Sequence, residues 1–307
     1  MSAVKKYLSL VKFSHTIFAM PFAMIGFFLG FRIFQKVYTD DFLLMDMPYW
    51  NTFKILFKEK WIVLLLVIAC MIFARSAAMA FNRYLDRSFD AKNPRTAVRE
   101  IPAGILKADS VLWFTIINAV LFIICAYLIN PVCFFLSPVA LAVVLGYSYT
   151  KRFTSLCHLV LGLGLSLAPI GAYLAVTGKF DLLPVLFSFA VIFWVSGFDI
   201  IYALQDEEFD RSNELFSIPS VWGKKKALRI SELLHLLSSA CVIIAGFIGH
   251  FGWLYWIGIA VFTGMLVYQH SIVKPQDLRR VNLAFMTANG IASVVFAVFV
   301  IADLLIH

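Results

Sequence analysis

The sequence predicts an all-α integral membrane protein of about nine transmembrane helices around a central cavity that opens near the cytoplasmic face. Three observations carry that prediction. Of 307 residues, 62% are hydrophobic and 14% charged, against roughly half and a quarter in soluble domains. The apolar residues gather in runs of about the ~20 residues that a helix needs to cross a bilayer. The Lys and Arg residues fall mostly in every second segment between those runs, as expected where cytoplasmic loops retain positive charge. No polar linker separates two halves, so residues 1–307 read as one domain.

The runs are 13–34, 61–81, 108–129, 132–149, 156–177, 182–204, 226–249, 252–272 and 282–305. The first follows Lys5 and Lys6 in the manner of a signal peptide. No small-residue cleavage site follows, and the run continues to about residue 34, so it reads as a retained first span. The links at 130–131 and 250–252 are short enough for tight hairpins, whereas 35–60 is a longer mixed loop. One side of the membrane receives 20 of the 26 basic residues; the other holds Arg32, Lys36, Lys54, Lys58, Lys60 and Lys179. The N-terminus is therefore expected in the cytoplasm and, after nine spans, the C-terminus outside. This asymmetry accounts for the net charge of +8 without a nucleic-acid partner. The five cysteines show no CxxC spacing and read as small buried hydrophobes. Gly162 to Pro169 and Pro21 suggest close helix approach or a kink. Lys224 to Lys226 mark an inside end with an affinity for anionic lipid.

Two acidic clusters stand out, both at cytoplasmic ends. In "NRYLDRSFD", Asn82, Asp86 and Asp90 are spaced four apart, which places them on one helical face. In "FDIIYALQDEEFD", Asp206 and Asp210 repeat that spacing, and Asp199 lies two turns deeper on the same face. Carboxylates beside hydrocarbon are costly and normally face a cavity with partners. One cluster alone could be a solvated helix end with i,i+4 ion pairs. Two alike clusters facing one cavity would repel unless cations met them. Mg²⁺, which prefers oxygen ligands and completes its shell with phosphate, suits such a set. A secondary transporter would instead place its charges near the midplane on broken helices. A CDP-alcohol phosphotransferase would need a DG-xx-AR stretch, which is absent.

At these residues the sequence resembles the UbiA superfamily of membrane prenyltransferases. "NRYLDRSFD" resembles that family's first motif, NDxxDxxxD, and "YALQDEEFD" its second. "AKNPRTAVREIPAG" (91–104) and "GYSYTKRFT" (146–154) resemble its polar loops, and the likeness extends over essentially the whole chain. It lies nearest bacterial 4-hydroxybenzoate polyprenyltransferases and related menaquinone-pathway enzymes. The resemblance implies transfer of a polyprenyl group from its diphosphate to an aromatic acid in quinone biosynthesis, in the inner membrane of a bacterium. The acceptor is either 4-hydroxybenzoate-like or a naphthalene-type acid. It further implies two Mg²⁺ ions, one held by Asn82, Asp86 and Asp90 and the other by Asp206 and Asp210. Arg83 stands where the family often has a second Asp; it either loosens the first metal set or contacts diphosphate directly.

The chemistry assigns the remaining roles. Diphosphate leaves an allylic carbon only if its growing charge is stabilised, by metal and by nearby cations. Candidates for the cationic clamp, besides Arg83, are Lys92, Arg95, Arg99, Lys151 and Arg152, with hydroxyls from Tyr147 and Tyr149. Each base is alternatively a plain inside-loop topology marker. The allylic cation needs a dry pocket, which Tyr202 is expected to wall. Asp199 either orients the acceptor or takes the ring proton, or it is a packing carboxylate. Arg75, on the face of Asn82, either pairs with the carboxylates or holds the acceptor's own carboxylate. His15 is an interfacial or capping histidine, or a contact to substrate.

Overall fold

The computed structural model describes residues 3–11, 18–39 and 49–306. Among them the regular structure is helical, joined by turns and loops, with one isolated bridge between Lys274 and Asp277. A short α1 (Ala3–Leu10) precedes α2 (Met20–Thr39). The long α3 (Tyr49–Leu85) is followed by the six-residue α4 (Arg87–Lys92), then α5 (Ala108–Ile129), α6 (Pro131–Thr150), α7 (Cys157–Thr177) and α8 (Leu182–Ala203). A 3₁₀ turn (Leu204–Asp206) leads into a second six-residue helix, α9 (Glu207–Ser212). After α10 (Ile218–Ile248) and α11 (Trp253–Ile272), a π-helical turn (Leu283–Ala288) opens α12 (Asn289–Ile306).

Among the described residues, seven helical segments are long and apolar enough to cross a membrane. They match the second to seventh and the ninth predicted spans. The first predicted span is represented by the shorter apolar stretch Met20–Phe34; His15 lies outside the described residues. The eighth is α11, whose last turns carry Tyr268, Gln269 and His270 and are less apolar for that reason. The protein is a multi-spanning integral membrane protein.

Local chemistry sets the helix ends. Asn130 caps α6 by accepting the backbone N–H of Cys133 at 2.8 Å, with Pro131 in the first position, where its missing N–H costs nothing. Asp181 caps α8. The helix expected from 226 begins earlier, at Ile218, because Ser217 and Ser220 form a reciprocal capping box there. Gly223, at φ 76°, then kinks the chain before the membrane portion of α10.

The helices pack in chain order. α3 lies on α5, α5 on α6, α6 on α7, α7 on α8, α8 on α10, α10 on α11, α11 on α12, α12 on α2, and α2 returns to α3. α2 also packs along α7, across this ring. A Cβ at Gly26 would stand 2.0 Å from the carbonyl oxygen of Pro169, so only glycine allows the two backbones this close. The same seam holds at Gly30 against Val176. Gly162, in the stretch expected to allow close approach, meets α8, where a Cβ would fall 2.5 Å from the Ile192 carbonyl oxygen. On one side of the α2–α7 seam, Phe22, Phe187, Trp194, Phe262 and Phe296 form a dense aromatic core. On the other, Phe27, Phe31, Val67, Ala168 and Ala172 pack more thinly beside a cavity.

Candidate active site

Both acidic clusters sit where a long helix breaks into a short one. Asp86 separates α3 from α4 with φ −89° and ψ 5°; Asp206 separates α8 from α9 with φ −105° and ψ 4°. The continuous helices expected through both motifs are thus interrupted at the middle carboxylate. Short acidic side chains compete with the backbone and favour such breaks. The i to i−4 pattern nevertheless bridges the first break: Asp86 donates its N–H to the Asn82 carbonyl at 2.9 Å, and Asp90 to that of Asp86 at 2.8 Å.

The two motifs face one polar cavity of about 220 Å³. It is lined by Asn82, Asp86, Asp90, Arg95, Arg99, Tyr147, Lys151, Arg152, Asp199, Tyr202, Asp206 and Asp210. Each of the four motif carboxylates meets its own base from a loop. Arg152 Nη2 reaches Asp86 Oδ1 at 3.1 Å and Arg99 Nη1 reaches Asp90 Oδ1 at 2.6 Å. Lys151 Nζ is 2.7 Å from Asp210 Oδ1, and Arg95 grips both oxygens of Asp206. Burial alone would lower the Lys151 pKa, but Asp210 outweighs it and holds the ammonium above the usual lysine value. Burial pushes the Asp86 carboxyl above the usual range, against the pull of Arg152.

The loops also tie the motifs to each other. Asn93, just past α4, donates to Asp206 Oδ1 at 3.3 Å and accepts the N–H of Arg95 at 3.0 Å. Arg95 donates further to the Tyr202 hydroxyl at 2.9 Å. Tyr202 in turn packs on Phe285, in the π-helical turn, with ring centroids 4.3 Å apart. Ser217 Oγ donates to Asp210 Oδ2 at 2.9 Å.

Four expected site residues lie elsewhere. Lys92 and Tyr149 do not line the cavity; Tyr149 instead packs on Phe81 and under Arg152, because its side chain leaves α6 on the outer face. Arg83 is buried behind the cavity, touching Asn82 Oδ1 at 3.5 Å, since its place next to Asn82 turns it off the shared face. Arg75 makes no ion pair with the motif carboxylates; it lies almost two turns further along α3. Conversely, His158 was not singled out in the sequence, yet it lines the cavity with Asp199.

Arg75 belongs to a second cavity, of about 370 Å³, walled by α3, α5, α6 and α7. Its walls are apolar and small, with Ala74, Ala78, Ala126, Ala140, Ala168 and Ala172 among them. Tyr147 and Leu161 line both cavities, so the apolar chamber adjoins the polar one there. Within the chamber wall, Arg75 Nε is buried and has no hydrogen-bond partner among the described residues.

The donor set is all oxygen and charged, suited to a hard divalent cation. Asp90 Oδ2 is buried and has no partner among the described residues, although the other oxygen accepts Arg99. Among the described residues no three carboxylates converge on one point, because each is turned to its base. The residues fit Mg²⁺ in kind, all oxygen and charged, with the bases as the partners they now hold.

A polar pocket of paired carboxylates and bases, set at the ends of membrane helices beside an apolar chamber, is the candidate site of a membrane enzyme. The profile of the UbiA prenyltransferase family matches residues 54–291, and the chain belongs to that family. It is a prenyltransferase. The 4-hydroxybenzoate octaprenyltransferase of Tolumonas auensis is 30% identical over 240 residues, 78% of this chain and 84% of that protein. Among solved structures, a UbiA homolog from Aeropyrum pernix K1 matches with a TM-score of 0.74 at 26% identity, covering 94% of this chain and 96% of that one. A UbiA homolog from Archaeoglobus fulgidus bound to DMAPP and Mg²⁺ shares the fold, with a TM-score of 0.69 at 18% identity over 98% of this chain and 100% of that one.

Proposed function

We propose that this enzyme transfers a polyprenyl group from its diphosphate to an aromatic acid of the 4-hydroxybenzoate type, in quinone biosynthesis. The observation that carries this reading is the adjacency of the charged cavity and the dry chamber at Tyr147. The diphosphate head fits the first and the prenyl tail the second. Residues 1–307 act as one domain of nine spans, with the cavity near the cytoplasmic face of a bacterial inner membrane, the N-terminus inside and the C-terminus outside.

Asn82, Asp86 and Asp90 would hold one Mg²⁺, and Asp206 and Asp210 a second. When bound, the metal supplies Lewis-acid stabilisation of the leaving group. This chain's residues do the rest. Arg95, Arg99, Lys151 and Arg152 turn from carboxylates to phosphate oxygens and take up the charge that develops as the C–O bond breaks. Tyr147, at the junction, faces the carbon that becomes cationic, and Tyr202 closes the wall beside it. The small apolar walls exclude water that would capture the cation. Arg75 meets the carboxylate of the aromatic acid, which satisfies its unpartnered Nε and aims the ring toward Tyr147. Asp199 lines the polar cavity beside His158.

The test is a product assay in detergent or vesicles, offering 4-hydroxybenzoate and a naphthalene-type acid with Mg²⁺ and geranyl diphosphate, read by mass spectrometry. Prenylated 4-hydroxybenzoate is the expected product. A prenylated naphthalene acid alone would move the acceptor to the menaquinone branch. Diphosphate release with neither acid consumed would refute the acceptor class.

A further inference from the structure

His158 and Asp199 form a pair unlike the other four in the cavity. His158 is the second residue of α7, and its side chain is 3% exposed; that of Asp199 is 24% exposed. His158 Nδ1 lies 2.7 Å from Asp199 Oδ2. On the other side of the ring, Nε2 lies 3.3 Å from the backbone nitrogen of Ile218. A backbone N–H only donates, so Nε2 must present its lone pair, and the ring proton must reside on Nδ1. The imidazole is therefore neutral, in one tautomer, and donates to Asp199. Ser196 Oγ fixes the residue from a third side by donating to the His158 carbonyl at 3.1 Å.

The consequence is chemical. Asp86, Asp90, Asp206 and Asp210 each face an Arg or Lys. Asp199 faces a single neutral N–H donor, and among the described residues its Oδ1 accepts no hydrogen bond. Its Oδ2 is held in place while Oδ1 stays open to the cavity, which places Asp199, alone of the five, to meet a proton without first parting from an Arg or Lys. Prenylation of an aromatic ring needs such a group. The allylic C–O bond breaks with its electron pair on diphosphate; a ring π pair forms the new C–C bond; the ring C–H bond then breaks, its electrons restore aromaticity, and its proton must go to a base.

We propose that Asp199 takes that ring proton and that His158 is its positioning residue, holding Oδ2 through Nδ1–H so that Oδ1 faces the ring. The Ile218 N–H blocks His158 Nε2 from receiving the proton, so it leaves from Asp199 to the cavity and not through the imidazole. This assignment rests on the proposed transfer to an aromatic acid.

The experiment compares wild type, Asp199→Asn, His158→Phe and His158→Asn. Transfer is measured with geranyl diphosphate and the acid that wild type prenylates, unlabelled or deuterated at the ring carbon attacked. Mg²⁺-dependent binding of geranyl diphosphate is followed by calorimetry. Wild type is expected to show no primary isotope effect, since proton removal is fast. Asp199→Asn should lose about a hundredfold or more in transfer, and His158→Phe about tenfold, both with a primary isotope effect and with diphosphate binding unchanged. His158→Asn keeps an N–H near the Nδ1 position and should recover most of the rate. Wild-type rates in Asp199→Asn or His158→Phe would overturn the assignment. So would losses without an isotope effect, or a His158→Asn variant no better than His158→Phe. If wild type itself prenylates no aromatic acid, it is the underlying reading that fails, and the variants are not needed to see it.

Discussion

Arg75 shows what a single side chain implies when its surroundings do not match it. A guanidinium in an apolar wall with a buried, unpartnered Nε is costly unless something satisfies it. Replacing it with Ala should raise KM for the aromatic acid by roughly ten- to a hundredfold, as loss of a hydrogen bond to a charged group does. KM for the prenyl diphosphate should stay put; varying each substrate in turn checks this. Asp86→Ala and Asp206→Ala should each lower transfer by about a hundredfold or more, with unchanged circular dichroism. The motif carboxylates could be read in the sequence because their four-residue repeat stands out, and it brings them to one cavity although the helices break between them. Which wall Arg75 faces was not legible, because that depends on how far along α3 each chamber reaches. Nearness in sequence points to Lys92, Tyr149 and Arg83 for the clamp, but a shift of one or two positions turns a side chain to another face. The partner of His158 is 41 residues away, so no local pattern links them. The available signal was an ionisable group opening an otherwise apolar run, which in a membrane helix marks function by default.

At the scale of the helix, the α2–α7 seam is the tightest requirement. Gly26→Ala places a methyl against the Pro169 backbone, which cannot yield as a flexible side chain would. It should destabilise the protein by about 2–3 kcal/mol, seen as a lower Tm in detergent, with activity per folded molecule also reduced because the chamber wall shifts. The spans themselves were legible, since hydropathy averaged over a bilayer thickness is a strong signal. The breaks at Asp86 and Asp206 were not, because the surrounding residues favour helix on both sides and only the local backbone angles register the change. The early start of α10 was likewise hidden, as a capping box outside the apolar run leaves no trace in hydropathy. What the breaks accomplish is visible in three dimensions: α4 and α9 each start from a carboxylate and swing the next one, four residues on, toward the same cavity.

Across the whole molecule, four carboxylates and four bases close on one another. A metal ion arriving alone must compete with a base for each carboxylate, and a diphosphate arriving alone must compete with a carboxylate for each base. Each ligand frees the partners of the other, so their binding is reciprocally coupled. Calorimetry should find weak binding of Mg²⁺ alone and of diphosphate alone, and binding at least about tenfold tighter for each in the presence of the other. Equal affinities would refute the exchange, and full turnover in excess EDTA would remove the metal from the mechanism. The apolar chamber has a different consequence. Because alanines are among its walls, its depth is a record of side chains left out, and the tail proposed to lie there would be measured against missing carbon. Ala140→Leu and Ala168→Leu restore that carbon at two depths without touching a charged group. Offered a mixture of tail lengths, the variants should shift their products toward shorter ones by mass spectrometry, each to a different limit, as marks on a ruler do.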